Sequence, residues 1–148
     1  MTKQTPIEML LDLAHSRVDE ATKRLGALLT SENACEVKLD MLIKYRAEYR
    51  ERFMQAGREG MGPDAWRNYS AFIGKLDDAI AQQQQIVDHS KQMTSQGQEK
   101  WISERNRMKA FDTLSARQQV AANKRVLKQE QQQSDEHAAK QHRDKGEE

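Results

Sequence analysis

The stretch that decides the fold is AGREGMGPDAW, residues 56–66 of a chain of 148 residues. It contains three of the seven glycines and one of the two prolines. Glycine commonly ends a helix in the left-handed conformation, and proline suits the first turn of a new helix. No comparable cluster of helix breakers occurs elsewhere in the chain. The stretch therefore predicts a single helix–loop–helix turn, with the loop at 57–63.

The segment before this turn predicts one long helix at 6–56. Thr5 is a good N-cap, Pro6 suits the first helical position, and Glu8 can complete a capping box with Thr5. A seven-residue repeat (positions a to g) follows, with mostly apolar residues at a and d, which predicts a left-handed coiled coil with a partner helix. The a residues are Leu11, Val18, Leu25, Glu32, Leu39, Arg46 and Phe53, and the d residues are Ala14, Ala21, Leu28, Cys35, Leu42, Tyr49 and Ala56.

The segment after the turn continues the repeat and predicts a second helix at 64–126. Its apolar seam weakens in the middle, where small or polar residues replace apolar ones, and then recovers in a phase that the sequence leaves open. Beyond 126 the chain has almost no apolar face, so 127–148 is expected to be frayed helix or disordered. The early seam is Trp66, Tyr69, Ile73, Leu76, Ile80 and Val87; the weak part is Gln83, Ser90, Thr94 and Gly97; the recovery is Trp101, Met108, Phe111 and Leu114.

These segments together predict an all-α fold in which two long helices form an antiparallel coiled-coil hairpin, because a short loop forces adjacent helices to run in opposite directions. The hairpin domain is expected at 1–126, followed by the polar C-terminal tail at 127–148. Composition agrees, since 32% charged and 36% apolar residues suit a narrow buried stripe better than a compact globule.

The charge and the rare residues exclude several classes of protein. A net charge of +1 without a basic cluster argues against nucleic-acid binding and a polybasic membrane anchor. A single cysteine, Cys35, cannot form an intramolecular disulfide and fits a reducing compartment. The N-terminus lacks the long apolar run of a signal peptide, and no segment is apolar for the ~20 residues of a membrane span. We therefore expect a cytoplasmic protein.

The sequence offers no group of residues with the spacing of a catalytic or cofactor site. The four histidines are scattered, and no pair has the spacing of metal ligands with thiol or carboxylate support. The glycines at 57–62 lack the Lys-Ser/Thr of a phosphate-binding loop. A two-helix hairpin also has no shielded concave site for catalysis. We expect no metal, no cofactor and no enzymatic activity.

Aromatic residues gather around the predicted turn, beginning with YRAEYRERF at 45–53. Phe53, Tyr49, Trp66 and Tyr69 occupy a and d positions and are explained as the seam that closes the hairpin. Tyr45 and Phe72 occupy g positions. In an antiparallel pair g faces g, so these two residues predict one apolar, aromatic flank. Such a strip commonly marks a partner site, although bulky g residues could also simply broaden a narrow core.

Three stretches of the chain resemble the FliJ family of bacterial flagellar type III export, over roughly residues 7 to 120. The resemblance is densest at MLIKYRAEYR (41–50) and WRNYSAFIGKLDDAI (66–80), and weaker at WISERNRMKAFDTLSAR (101–117). Tyr45, Asn68 and Phe72 make it more specific than a shared heptad repeat, because they lie outside the a and d positions.

The resemblance implies a function without chemistry. Proteins of this family are antiparallel coiled-coil hairpins similar to the central stalk subunit of rotary ATPases. They bind the flagellar export ATPase, FliI, with the open end of the hairpin, and the cytoplasmic domain of the export gate protein FlhA; they also escort export chaperones. Such a protein reaches the inner membrane at the flagellar base only through its partners. By resemblance, the gate-binding patch is Leu42, Tyr45, Tyr49, Phe72, Leu76 and Ala79.

A different class of function is also compatible with the repeat. The apolar g flank could be a homodimer face, so that two hairpins form a four-helix bundle. The protein would then be a self-associating structural coiled coil, and its state in solution would separate the two hypotheses.

Overall fold

The computed structural model describes residues 3–146, which form two α-helices and no strand. Helix α1 is Pro6–Glu59 and helix α2 is Pro63–Gly146. The two helices contact each other in reverse chain order: the ring of Tyr49 meets that of Phe72, and the amide of Gln83 meets the backbone carbonyl of Cys35. The predicted all-α fold of two long helices packed as an antiparallel hairpin is confirmed.

The helix ends follow the sequence signals. The backbone N–H of Thr5 donates to Glu8 Oε2 at 3.0 Å, and the N–H of Glu8 donates to Thr5 Oγ1 at 3.3 Å, which is a reciprocal capping box. At the other end of α1, Gly60 has φ +100°, a conformation that glycine adopts without a steric penalty. Pro63 is the first residue of α2. The loop is therefore residues 60–62, shorter than the 57–63 expected.

Helix α2 extends to Gly146, past the end at 126 expected from the sequence. All side chains from 116 to 146 are exposed. These residues are rich in Gln, Ala, Lys and Arg, which are good helix formers without an apolar face. The division into a hairpin domain and a separate tail stays a prediction.

The chain divides into two compact units. The loop unit is Asp19–Ser103, which contains the loop and the adjoining parts of both helices. The terminal unit combines the part of α1 up to Val18 with the part of α2 from Glu104 onward.

The loop unit is built on one continuous seam. Every a and d residue of α1 in this unit is buried or half-buried, which is the pattern that the repeat predicts. On α2 the seam keeps the same phase through its polar part, so that the phase left open by the sequence is resolved. The buried seam residues are Ala21, Leu39, Leu76, Gln83, Val87, Thr94 and Gly97.

The polar and small residues of the α2 seam are closely packed. The amide of Gln83, which is only 4% exposed, donates to the backbone carbonyl of Cys35 at 3.0 Å. Thr94 Oγ1 lies 3.0 Å from the carbonyl oxygen of Ser90 in its own helix. Gly97 faces Leu28, because a Cβ placed on Gly97 would lie 2.5 Å from Leu28 Cδ1. The weak part of the sequence pattern is thus a set of specific contacts between the helices.

The terminal unit has a sparser seam. Ala14 is buried on α1, and Glu104 is buried on α2. Phe111 is half-buried, and the guanidinium of Arg107 lies 5.8 Å from the centre of its ring. The expectation that Leu114 joins the seam was wrong. The repeat places the neighbouring Ser115 at the inward position, and Leu114 is exposed.

Candidate docking site

Five aromatic rings form a connected cluster beside the loop. The centres of the Tyr49 and Phe72 rings are 4.5 Å apart, and those of Tyr49 and Tyr69 are 5.3 Å apart. Phe53 extends the cluster toward the loop, 5.6 Å from Tyr69. On the other side, Tyr45 meets Phe72 edge-on, at 6.3 Å and 89°. Edge-to-face packing of this kind stabilises aromatic pairs beyond the area that they bury.

The Tyr45–Phe72 contact shows that g faces g on one flank of the loop unit, as the repeat predicts. Tyr45 remains 43% exposed although its ring packs on a neighbour. Part of the Tyr45 ring is therefore open to solvent, while its packing on the half-buried rings of Tyr49 and Phe72 holds it in place.

The residues of the predicted gate-binding patch differ in exposure. Leu42 lies one helical turn before Tyr45 on α1, and Leu76 lies one turn after Phe72 on α2. Leu76 is only 7% exposed, so it supports the patch from inside the seam. Tyr45 is exposed, and the remaining four residues are half-buried: Leu42, Tyr49, Phe72 and Ala79.

Burial among the rings raises the pKa of the Tyr49 hydroxyl above its ordinary value, and the nearby phenols of Tyr69 and Tyr45 raise it further. A phenol already has a pKa of about 10 in water. Tyr49 is consequently neutral at physiological pH, and the centre of the cluster carries no charge.

The opposite flank of the loop unit is held by charged pairs. The guanidinium of Arg46, at a seam position, donates two hydrogen bonds to the carboxylate of Asp77, at an e position. This hydrogen bonding, followed by the attraction of the opposite charges, raises the pKa of Arg46. Lys91 Nζ lies 3.7 Å from Glu36 Oε1 on the same flank. The two flanks therefore differ in chemistry, one aromatic and the other ionic.

The structure corrects the expectation for Trp66. The repeat places it at a seam position, but its side chain is 55% exposed. The contacts between the rings of Phe53 and Tyr69 fix the level of the pairing, and at the next level α1 offers only Ala56 and Gly57. These small residues cannot cover an indole ring.

One feature of the surface was missed by the seven-residue repeat. Val37, Met41 and Tyr45 are all exposed and follow each other at four-residue spacing on α1. Residues four apart are neighbours on a helix, so the three form an apolar ridge that leads to the aromatic cluster. The repeat assigns them to three different positions (f, c and g), which hides the ridge. A four-residue count would have found it.

Residues 3–146 contain neither a membrane-spanning helix nor a cluster of metal ligands. Neither described helix combines the length and the apolar character that crossing a membrane requires. Within the same residues, no three His, Cys, Asp or Glu side chains come together in a way that could hold a metal ion.

The hairpin, its seam and the aromatic flank define a two-helix coiled-coil protein with one apolar, aromatic flank. The family described as "Flagellar FliJ protein" matches residues 2–147. The Flagellar FliJ protein of Salmonella typhi is 33% identical over 122 residues, which cover 82% of this chain and 83% of the relative. That of Escherichia coli (strain K12) is 32% identical over 122 residues, with the same coverage. The chain belongs to the FliJ family.

Proposed function

We propose that this protein couples the flagellar export ATPase, FliI, to the export gate protein FlhA and assists export chaperones. In this proposal the aromatic flank docks the cytoplasmic domain of the gate. The single observation that carries it is the exposed ring of Tyr45, held edge-on against Phe72. An exposed aromatic ring on a rigid base is typical of the residues that dominate binding energy at interfaces.

The residues of the docking patch divide into two roles. Tyr45 and the half-buried Phe72 and Ala79 present surface to the gate, whereas Leu76 and Tyr49 hold that surface in place from the seam. Leu42 is half-buried and lies one helical turn before Tyr45, at the edge of the patch. The proposed role requires binding and positioning only, and no bond is made or broken by this chain.

The proposed effect on the ATPase is a bias between conformations. A helical hairpin that contacts the subunits of a ring differently can favour one subunit conformation over another. We expect the protein to raise the hydrolysis rate of the purified ATPase or to promote its hexamer. No change in either quantity, at concentrations where the two proteins bind, would contradict this part. Any association with the inner membrane follows from these partners.

The gate contact is tested by measuring the affinity of full-length variants for the purified cytoplasmic domain of FlhA. Tyr45→Ala and Tyr45→Ala/Phe72→Ala should weaken binding by about tenfold or more, which is ~1.4 kcal/mol per factor of ten. Ile43→Ala/Met54→Ala is the matched control, because it removes exposed apolar side chains that lie outside the predicted patch. Circular dichroism verifies that helicity is retained.

The outcomes separate the two interpretations of the flank. Unchanged affinity with retained helicity in the patch variants would overturn the gate contact. Loss of helicity in Tyr45→Ala alone would mean that the ring serves the core. The alternative function, a four-helix bundle of two hairpins, requires a stable dimer, and sedimentation equilibrium of the free protein decides it.

A further inference from the structure

The aromatic flank continues along the loop unit as a strip with an unusual distribution of charge. We define the g flank as the g residues of both helices within Asp19–Ser103. Four of them are basic and one is acidic, Glu59 at the loop end of α1, although the chain as a whole is close to neutral. The α1 side supplies Arg24, Ser31, Lys38, Tyr45, Arg52 and Glu59, and the α2 side supplies Ala65, Phe72, Ala79, Ile86, Met93 and Lys100.

Three basic residues on the α1 side of the g flank are not paired with an acidic side chain of the described residues. Among residues 3–146, Arg24, Lys38 and Arg52 lie within 4.0 Å of no carboxylate, in contrast to the charges on the opposite flank. There, Arg46 is paired with Asp77 and Lys91 with Glu36. An interface is commonly arranged so that a positive surface meets a negative one.

The apolar residues of the g flank form a straight strip on α2. Phe72, Ala79, Ile86 and Met93 follow each other at seven-residue spacing, and the strip spans ~31 Å at 1.5 Å per residue. Ile86 is 49% exposed, and Phe72, Ala79 and Met93 are half-buried. A strip of this length and width matches one face of a third α-helix lying along the pair.

We infer that the g flank docks an amphipathic α-helix that carries Asp and Glu beside its apolar stripe. Its apolar side chains pack on Phe72, Ile86 and Met93, and its carboxylates meet Lys38 and Arg24. The inference rests on the proposed docking site, with which it shares Phe72 and Ala79, and it extends that site by about four helical turns, from Ala79 to Met93.

Charge also argues against a second copy of the chain as the occupant. In a two-fold symmetric pair each g flank would lie against an identical one. Both surfaces would then bring Arg24, Lys38 and Arg52 with only one carboxylate, that of Glu59 at the loop end, and like charges at an interface oppose association. A helix of opposite charge satisfies these groups.

The test uses the full-length protein and two synthetic probes. The first is a designed helical peptide with Leu at a and d and Glu at e and g. The second is the same peptide with Lys in place of each Glu. Fluorescence anisotropy should show that the Glu peptide binds at least about tenfold more tightly than the Lys peptide. Equal affinities, or no binding of either peptide, would overturn the inference.

Paired charge reversals locate the contact. Arg24→Glu/Lys38→Glu should weaken binding of the Glu peptide by about tenfold and strengthen binding of the Lys peptide. The matched control is Lys23→Glu/Lys44→Glu, since these exposed f residues lie outside the flank, and it should leave the peptide affinity within about twofold. Ile86→Gln should weaken the binding of both peptides. An equal loss in the control pair means non-specific attraction and contradicts the inference.

Failure of this inference can be distinguished from failure of the proposed function. Insensitivity of gate binding to Tyr45→Ala, with peptide binding still dependent on Arg24 and Lys38, removes the proposed function only. Gate binding that is weakened by Tyr45→Ala, with peptide binding that does not depend on Arg24 and Lys38, removes this inference only. A dimer of the free protein that Ile86→Gln dissociates would assign the flank to a second copy and overturn the inference.

Discussion

Gly97 is the clearest case of a single residue that determines local packing. It lies on the seam of α2 in the loop unit and leaves room for the side chain of Leu28. Glycine within a helix costs about 1 kcal/mol relative to alanine, because it loses more backbone entropy on folding. The close approach of Leu28 explains why a glycine occupies this position.

Substitution of glycines predicts opposite outcomes at two positions. Gly74→Ala should raise the free energy of unfolding by up to about 1 kcal/mol, because a Cβ there meets nothing within 4 Å. Gly97→Ala should leave it unchanged or lower it, since crowding of Leu28 offsets the gain in helix propensity. Urea denaturation of the two variants measures the difference.

A double-mutant cycle provides the control for Gly97. In a Leu28→Ala background, Gly97→Ala should stabilise the protein as Gly74→Ala does, because the crowding is gone. Equal stabilisation by the two alanines in the otherwise unchanged protein would contradict the packing described.

Tyr49 predicts a dependence of stability on alkaline pH. Its pKa is raised in the folded protein, chiefly by burial, so folding favours the neutral phenol. Its contribution is therefore complete below the unfolded pKa of about 10 and is lost as pH rises through the folded pKa. The free energy of unfolding should fall above about pH 10, and it should fall less steeply in Tyr49→Phe. Identical slopes in the two proteins would exclude this role.

Individual seam residues were predictable wherever the partner helix offers a side chain of ordinary size. The repeat correctly places Tyr49, Phe53 and Tyr69 in the seam, where the ring of Tyr69 contacts the other two. It fails at Trp66, where the opposing residues are too small to cover the ring. The size of the opposing residue depends on the pairing level, which a repeat in one helix does not contain.

At the scale of the helices, the polar part of the α2 seam specifies how α1 and α2 are paired. A buried amide such as that of Gln83 is satisfied in one alignment, in which it reaches the carbonyl of Cys35. Apolar side chains accept several alignments at similar energy, whereas a polar group at one seam position selects among them. The amide of Gln83 therefore gives less stability than an apolar residue would, but it selects a single alignment of α1 and α2.

Replacement of Gln83 by an apolar residue tests this role. Gln83→Leu should raise the free energy of unfolding by about 1 kcal/mol, since an apolar side chain of similar size removes the need for a hydrogen bond. The matched variant Gln83→Ala should lower it, because it leaves a cavity. Thermal and urea denaturation measure both. A large destabilisation by Gln83→Leu would show that the hydrogen bond contributes more than burial does.

The helix boundaries could be predicted where the signal is local. The capping box at Thr5 depends on a few adjacent residues and appears as expected. The glycines at 57, 60 and 62 predict a left-handed glycine without selecting among them, and the structure has it at Gly60. The C-terminal end of α2 at Gly146 could not be predicted. A polar sequence of good helix formers has no breaker to end the helix and no apolar face to require it, so neither outcome is favoured locally.

At the scale of the whole molecule, the buried side chains occupy only part of the helical chain. The described residues from 116 onward are all exposed and add no buried seam. Tertiary packing of an apolar face supplies most of the stability of helices in proteins. The stability of the hairpin should therefore come from the residues before this segment.

Truncation after Val126 should consequently leave the thermal midpoint of the hairpin within about 2 °C of that of the full chain. The helical signal in circular dichroism should decrease in proportion to the residues removed. Val87→Ala in the full chain is the control, and it should lower the midpoint clearly because Val87 is buried at the seam. A large drop on truncation would indicate that the exposed helix has a partner within the protein.

The contact between Leu28 and Gly97 limits how the length of this protein can change. Gly97 is the only glycine on the seam of the loop unit, so only one seam position of α2 there lacks a side chain and leaves room for Leu28. Inserting seven residues between Leu28 and the loop would preserve the heptad phase of α1 but shift it along α2 by ~10 Å, which would place a residue with a side chain opposite Leu28. A compensating insertion of seven residues between the loop and Gly97 places Gly97 opposite Leu28 again. We expect length differences among FliJ proteins in this segment to occur as equal insertions or deletions in both helices.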